Sequence, residues 1–312
     1  RSLGASGYFK TFLPGGRQAD DGNLLVQGKA GLVLEIPAGF GASLNAGRPA
    51  QVQVLADGAD SNFGVQGLNY LQKATRLFSA DLMRIMTARA QSTPSVPPSI
   101  RIESRVWYNP GLVSRTYMAP AIMALLMLVV TMLITSMALV KEREDGTLEQ
   151  LIVTPLRPAE LIAGKLLPYV IIGFIELTFA LCVIAWAFRI PMRGSMLLLY
   201  AMTALFLLTT LGLGLFISTL VKTQQQAMMA AVFFVMMPFM LLSGFAFPVE
   251  NMPPGIQWVA EFIPLKHYLI VIRAIFLKGA GIETLWPEAL AMAAWGLGVL
   301  SLAVLRFQKR MD

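Results

Sequence analysis

From Met118 to Val140 the chain runs for 23 positions without one charged side chain. At 1.5 Å per residue a helix over that stretch is about 35 Å long, enough to cross a hydrocarbon core of roughly 30 Å. Four more apolar runs follow, at approximately 166–188, 194–221, 227–249 and 289–305, and within the five only the second carries a charge, at Glu176. Backbone at membrane depth must satisfy its own hydrogen bonds, so the chain is expected to be an α-helical integral membrane protein with five spans. The composition agrees: 56% of residues are hydrophobic and 14% charged, against a usual charged share of about 25%. In a soluble domain the net charge of +7 would suggest nucleic acid. Here the cations flank apolar runs, as membrane topology demands, and no nucleic-acid partner is expected. The one cysteine, Cys182, lies inside the second run and excludes a disulfide framework or a cysteine metal cluster.

Residues 1–117 are different in kind. They hold 19 of the 43 charged residues and turn-rich connections such as PGGRQADDGN at Pro14 to Asn23. Strand composition recurs at Gly31 to Pro37 and Ala50 to Ala56, and at Ile100 to Val106 apolar and charged residues alternate. Between the second and third strands Phe63, Tyr70, Leu71, Ala74, Leu77, Phe78 and Ile85 return at helical spacing, with Asp60 or Ser61 placed as an N-cap. The expectation is a small water-facing α/β domain in which this amphipathic helix covers one face of the sheet. Trp107 and Tyr108, after the linker TPSVPPS and the third strand, mark the approach to a membrane interface.

Between the first two spans lies KEREDGTLEQLIVTP, Lys141 to Pro155, the one densely charged block set between two apolar runs. Gly146 is expected to end the preceding helix. Thr147 then caps a new one with Gln150 as its capping-box partner, and Pro155 stops it about two turns later. Leu148, Leu151 and Ile152 give that short helix an apolar stripe, to be covered by a partner or by lipid headgroups.

With this elbow inside, the inner segments hold Lys141, Arg143, Arg157, Lys165, Lys222, Arg306, Lys309 and Arg310. The outer connections hold Arg189, Arg193, Lys266, Arg273 and Lys278. The excess of cations places the elbow and the C-terminus in the cytoplasm and residues 1–117 outside. Arg1 is not a methionine, and an outer domain needs an earlier span to carry it across, so a sixth helix ahead of Arg1 is expected. From Glu250 to Glu288 two short apolar stripes, at Ile256 to Ile263 and Leu269 to Leu277, are broken by Pro264 and the Gly279 to Gly281 turn. They predict an outer hairpin of interfacial or re-entrant helices.

Three blocks in this order resemble the permease subunit of an ABC type-2 exporter. They are KEREDGTLEQLIVTPLRPAELIAGK at Lys141 to Lys165, LLSGFAFPVENMPPGIQWVAEFIPLKHYLIVIRAIFLKG at Leu241 to Gly279, and the outer block from Arg1 through the turn at Asp57 to Asn62. The second contains the Ser-Gly-x-x-x-Pro exit from the fifth span of the family. The third is found in the larger bacterial multidrug-type members. The resemblance implies a bacterial inner-membrane permease that works as a homo- or heterodimer above ATP-binding-cassette ATPase subunits, with a periplasmic adaptor as a further possible partner. It implies ATPase contact at Glu142, Arg143, Glu144, Gly146, Thr147, Leu148 and Leu151. ATP and magnesium belong to the partner and this chain carries no cofactor; it contains no Gly-x-x-x-x-Gly-Lys-Ser/Thr loop. The implied cargo is a hydrophobic or amphipathic small molecule, drug-like or lipid-like, taken from the cytoplasm or inner leaflet.

Some residues stand apart from that pattern. Glu176 is a carboxylate inside a span, where ionisable groups are costly and functional by default. With Met236, Met240, Ser243 and Gly244 it makes up the candidate transport path; the methionines of the fourth run fit an adaptable apolar surface or ordinary helix packing. His267, the only histidine, has no carboxylate pair or second histidine near it in sequence and is expected to be structural. Two other classes fit the sequence less well. A membrane-embedded hydrolase would need an acid or nucleophile constellation that one Glu does not supply. A receptor using the outer domain for ligand binding fits the domain order but leaves the elbow unexplained.

Overall fold

The computed structural model describes residues 24–25, 30–45, 50–58, 61–89, 100–146 and 158–308. The chain separates into two compact units, Arg1–Tyr117 and Met118–Asp312.

In the first unit three strands, β1 (Leu32–Glu35), β2 (Ala50–Asp57) and β3 (Ile100–Trp107), form one sheet in the order β1-β2-β3. β1 and β2 are antiparallel, with Leu32 opposite Ala56, and β2 and β3 are parallel, with Ala50 opposite Ile100. A parallel pair needs a long crossover, and helix α2 (Ser61–Arg89) supplies it after the short α1 (Phe40–Asn45). Val54 and Ala56 of the central strand are fully buried, with Leu44 and Leu71 beside them in the small core. Gly64 and Gly67 let α2 approach closely: a Cβ at Gly64 would lie 2.9 Å from the side chain of Leu112, and one at Gly67 3.3 Å from Leu32.

This helix packs on the sheet, but the sheet does not cover the whole of its apolar stripe. Leu71 is buried, but Tyr70, Leu77, Phe78 and Met83 stay exposed. The reason is length: a helix of 29 residues is about 43 Å long, whereas a strand of 8 residues reaches only about 27 Å. Its second half has no sheet beneath it.

In the second unit five helices among the described residues are long and apolar enough to cross a membrane. They are α3 (Ser114–Glu144), α4 (Pro158–Trp186), α5 (Met196–Leu220), α6 (Gln224–Leu242) and α9 (Ile282–Gln308). α6 is three segments in line, with a π turn at Ala231–Met236 in the middle. There the Met237 N–H donates to the Val232 carbonyl, just ahead of Pro238, which has no N–H to offer. Between α6 and α9 come α7 (Pro254–Glu261) and α8 (Pro264–Arg273), the latter running into a second π turn at Ala274–Lys278.

α5 is the hub of the bundle. It packs extensively along α9, where Gly212 and Gly296 remove bulk from the seam: a Cβ at Gly212 would sit 3.3 Å from the Leu300 nitrogen. Against α3 the approach is closer still, and a Cβ at Gly214 would meet the Met132 carbonyl at 2.7 Å. Small residues and hydroxyls bind helices where no hydrophobic drive separates protein from lipid. Thr131 donates to Thr210 at 2.8 Å, and Thr209 to the Met292 carbonyl at 3.2 Å.

α7 and α8, the expected outer hairpin, differ in how far the bundle covers them. α7 exposes Ile256, Trp258 and Val259, whereas Leu265, Tyr268, Leu269 and Val271 of α8 are buried. The Tyr268 ring stacks on Phe206 of α5 at 4.0 Å between centroids, and its hydroxyl meets Thr203 at 2.8 Å.

Candidate functional site at the charged end of the bundle

Helix α3 ends in four charged residues, Lys141 to Glu144, and three of them reach three different helices. Glu142 forms an ion pair with Lys165 of α4. The guanidinium of Arg143 donates to the carbonyls of Ser218 at 3.3 Å and Val221 at 2.9 Å, at the end of α5. Glu144 accepts from the Gln224 backbone N–H at 3.1 Å and from its side-chain amide at 2.5 Å, at the start of α6.

The contacts of Arg143 and Glu144 each complete a helix terminus. The last carbonyls of a helix lack partners within it, and the first N–H groups lack acceptors. Arg143 supplies the cation that favours a C-terminus and Glu144 the anion that favours an N-terminus. Thr223 caps the same start, its hydroxyl accepting from the Gln226 N–H at 3.2 Å. Gly146, at φ +72°, follows the end of α3 in the left-handed conformation that closes many helices. Thr147, Leu148 and Leu151 lie outside the described residues, as does the short helix expected from Thr147 to Val153.

The candidate path residues fall in two places. Glu176 is on α4, which packs on α5 and α9. It is half-buried, and its buried oxygen Oε2 has no hydrogen-bond partner among the described residues. Met236 and Met240 are half-buried on α6, whose π turn packs against Met132 and Ile217. At the far end of α6 the hydroxyl of Ser243 is buried without a partner, and Gly244, at φ +83°, offers its carbonyl to both terminal nitrogens of Arg273 at 3.3 and 3.4 Å. That contact ties the exit of α6 to the end of α8.

His267 corrects its expected isolation. Its Nδ1 lies 2.5 Å from a carboxylate oxygen of Glu288 and its Nε2 2.9 Å from the Glu261 carbonyl. Both neighbours are acceptors, so only the doubly protonated imidazolium donates to both. Burial, the largest influence, works against that charge, as does Lys266. The hydrogen bonds to Glu288 and Glu261 and the Glu288 charge outweigh them and hold the imidazole above its ordinary pKa. Sequence inspection missed Glu288 because it lies 21 residues away on α9. The expected fifth span, 289–305, also began too late: α9 starts at Ile282 and includes Glu283 and Glu288.

Sequence inspection missed other partners as well. Lys165 was counted only as a topological cation, and Gln224 carries a readable signal in the Thr-Gln-Gln-Gln start of α6. Ser218 and Val221 act through backbone carbonyls, for which residue type gives no signal.

The model of the ABC-2 family transporter proteins matches residues 2–305. The chain belongs to the ABC-2 transporter family. It is 35% identical over 272 residues to the probable multidrug ABC transporter permease YbhR of Escherichia coli strain K12, covering 86% of this chain and 72% of that protein. It is 31% identical over 285 residues to the probable multidrug ABC transporter permease YbhS of the same strain, covering 90% and 73%. To the inner membrane transport permease YhhJ, also of that strain, it is 28% identical over 286 residues, covering 90% and 74%. This ABC-2 protein is thus a multi-pass inner-membrane protein, the transmembrane permease subunit of an ABC exporter, a transporter that includes an ATP-binding partner.

Proposed function

We propose that the permease works as one half of a dimer whose separate ATPase subunits press on the elbow from Glu142 through Leu151. In this reading residues 1–117 are extracytoplasmic and the elbow and C-terminus cytoplasmic. ATP-driven closure moves a hydrophobic or amphipathic small molecule out of the cytoplasm or inner leaflet, and a periplasmic adaptor receives it through the outer domain. The observation that carries the proposal is the contact set of Glu142, Arg143 and Glu144. Three successive side chains at the end of α3 hold α4 at Lys165 and the ends of α5 and α6, so force applied there reaches four spans at once. The cation excess at this end supports the orientation. A path bordered by methionines suits cargo of varied shape, and the relatives named as multidrug permeases point the same way.

Two experiments test this. In a Cys182→Ser background, Ser61→Cys reacts with an impermeant thiol reagent in intact spheroplasts and Thr223→Cys does not; the opposite pattern refutes the orientation. Leu148→Ala with Leu151→Ala leaves the permease inserted but strips the co-purifying ATPase, since a central anchor contributes about 2 kcal/mol or more. Unchanged ATPase stoichiometry and unchanged transport per ATP remove the elbow from the mechanism and leave its short helix dipping into lipid.

A further inference from the structure

The carboxylate of Glu176 has a position that helix packing does not explain. It lies 16 residues beyond Glu160 and 10 before Trp186 on α4, about 24 Å and 15 Å along the helix, well inside the membrane. Among the described residues, the ion pairs of the bundle engage Glu142, Glu261 and Glu288 and leave Glu176 out. The Tyr268 hydroxyl has its proton committed, to Thr203 at 2.8 Å or to the Met127 sulfur at 3.7 Å. Among the described residues no donor meets the buried Oε2 of Glu176.

The surroundings say what would satisfy it. Residues three and four positions away share a helix face: on one side of Glu176 lie the buried Gly173 and half-buried Ala180, and on the other Ile172 is 38% and Phe179 71% exposed. A carboxylate bordered by accessible aliphatic and aromatic groups matches a molecule that presents a positive centre within an apolar body: the charge meets the carboxylate and the ring of Phe179, the body meets Ile172. A neutral or anionic amphiphile of the same size leaves the charge of the carboxylate uncompensated.

We infer that Glu176 is a specificity-determining residue that selects lipophilic organic cations among the amphipathic molecules the permease moves. The inference rests on the amphiphile-export reading above and narrows its substrate class. The probes are tetraphenylphosphonium, which carries a permanent charge, and tetraphenylsilane, its neutral counterpart of nearly equal shape. Binding is measured by equilibrium dialysis on the assembled transporter, permease with its ATPase, in lipid nanodiscs with empty nanodiscs as blanks. Glu176→Gln is expected to weaken phosphonium binding by about tenfold or more, the scale of one lost through-space charge contact of about 1.4 kcal/mol, while silane binding stays within about twofold. Glu176→Asp, which keeps the charge, restores most of the phosphonium affinity. Equal phosphonium affinity in wild type and Glu176→Gln overturns the inference, as does a parallel loss of both probes, which would mark a packing role. ATP-driven uptake of tetraphenylphosphonium and of a neutral amphiphilic dye into everted vesicles tests the underlying reading by itself. If wild type takes up neither, the export proposal fails, whereas intact uptake with unselective binding removes only the role of Glu176.

Discussion

Replacing Arg143 with alanine tests the coupling site at the contact where the structure is most explicit. Its guanidinium donates to two carbonyls at the end of α5, at 2.9 and 3.3 Å. A hydrogen bond to a charged group contributes about 1.5–3 kcal/mol net. The shorter contact is assigned the lower end of that range, because the site is half-buried and water reaches the freed carbonyl, and the longer contact about half as much. The expected loss is therefore about 2–3 kcal/mol of unfolding free energy, read by titrating sodium dodecyl sulfate into mixed micelles. Arg143→Lys keeps the charge but not the planar fork, so it satisfies one carbonyl and recovers about half of the loss. In the reconstituted transporter Arg143→Ala is expected to hydrolyse ATP while moving less cargo per ATP, since α5 is no longer gripped by the end of α3. An unfolding free energy within about 0.5 kcal/mol of wild type, with wild-type transport per ATP, would refute the reasoning.

Three further outcomes follow from the same geometry. Glu142→Lys is expected to lower cargo moved per ATP and Glu142→Lys with Lys165→Glu to restore it; restoration failing while both variants insert normally would show that the pair with Lys165 plays no part in coupling. Gly214→Ala drives a Cβ to 2.7 Å from a backbone carbonyl of α3. Its overpacking cost of about 1–3 kcal/mol exceeds the helix-propensity gain of about 1, whereas Gly298, with open space around it, gains stability as alanine, and thermal inactivation of the two variants should move in opposite directions. At His267 the fold favours the charged imidazole. The stability it contributes is complete below the ordinary histidine pKa near 6.5 and is lost as pH rises through the raised folded value. A wild-type inactivation temperature that falls over that window, with a flatter profile in His267→Gln, is the expected result, and parallel profiles would exclude the pair with Glu288.

The long apolar runs, the break at Gly146 and the turn signals around the strands were legible in the sequence because each is local. Chain length against bilayer thickness, the need of backbone at depth for helical hydrogen bonds, and the tolerance of glycine for φ +72° require no knowledge of what lies alongside. The charged elbow could be recognised as important, and the resemblance named its role. What its charges hold could not be read, because Lys165, the Ser218 and Val221 carbonyls and Gln224 come to the end of α3 only when α4, α5 and α6 pack beside it. The same limit hid Glu288 from His267 and left half of the stripe on α2 uncovered, since sequence period shows that a face is apolar but not how far its partner extends. Tertiary packing alone decided those pairings: helices antiparallel in a bundle bring together residues about 20 to 80 positions apart, and neither spacing nor residue type encodes that proximity.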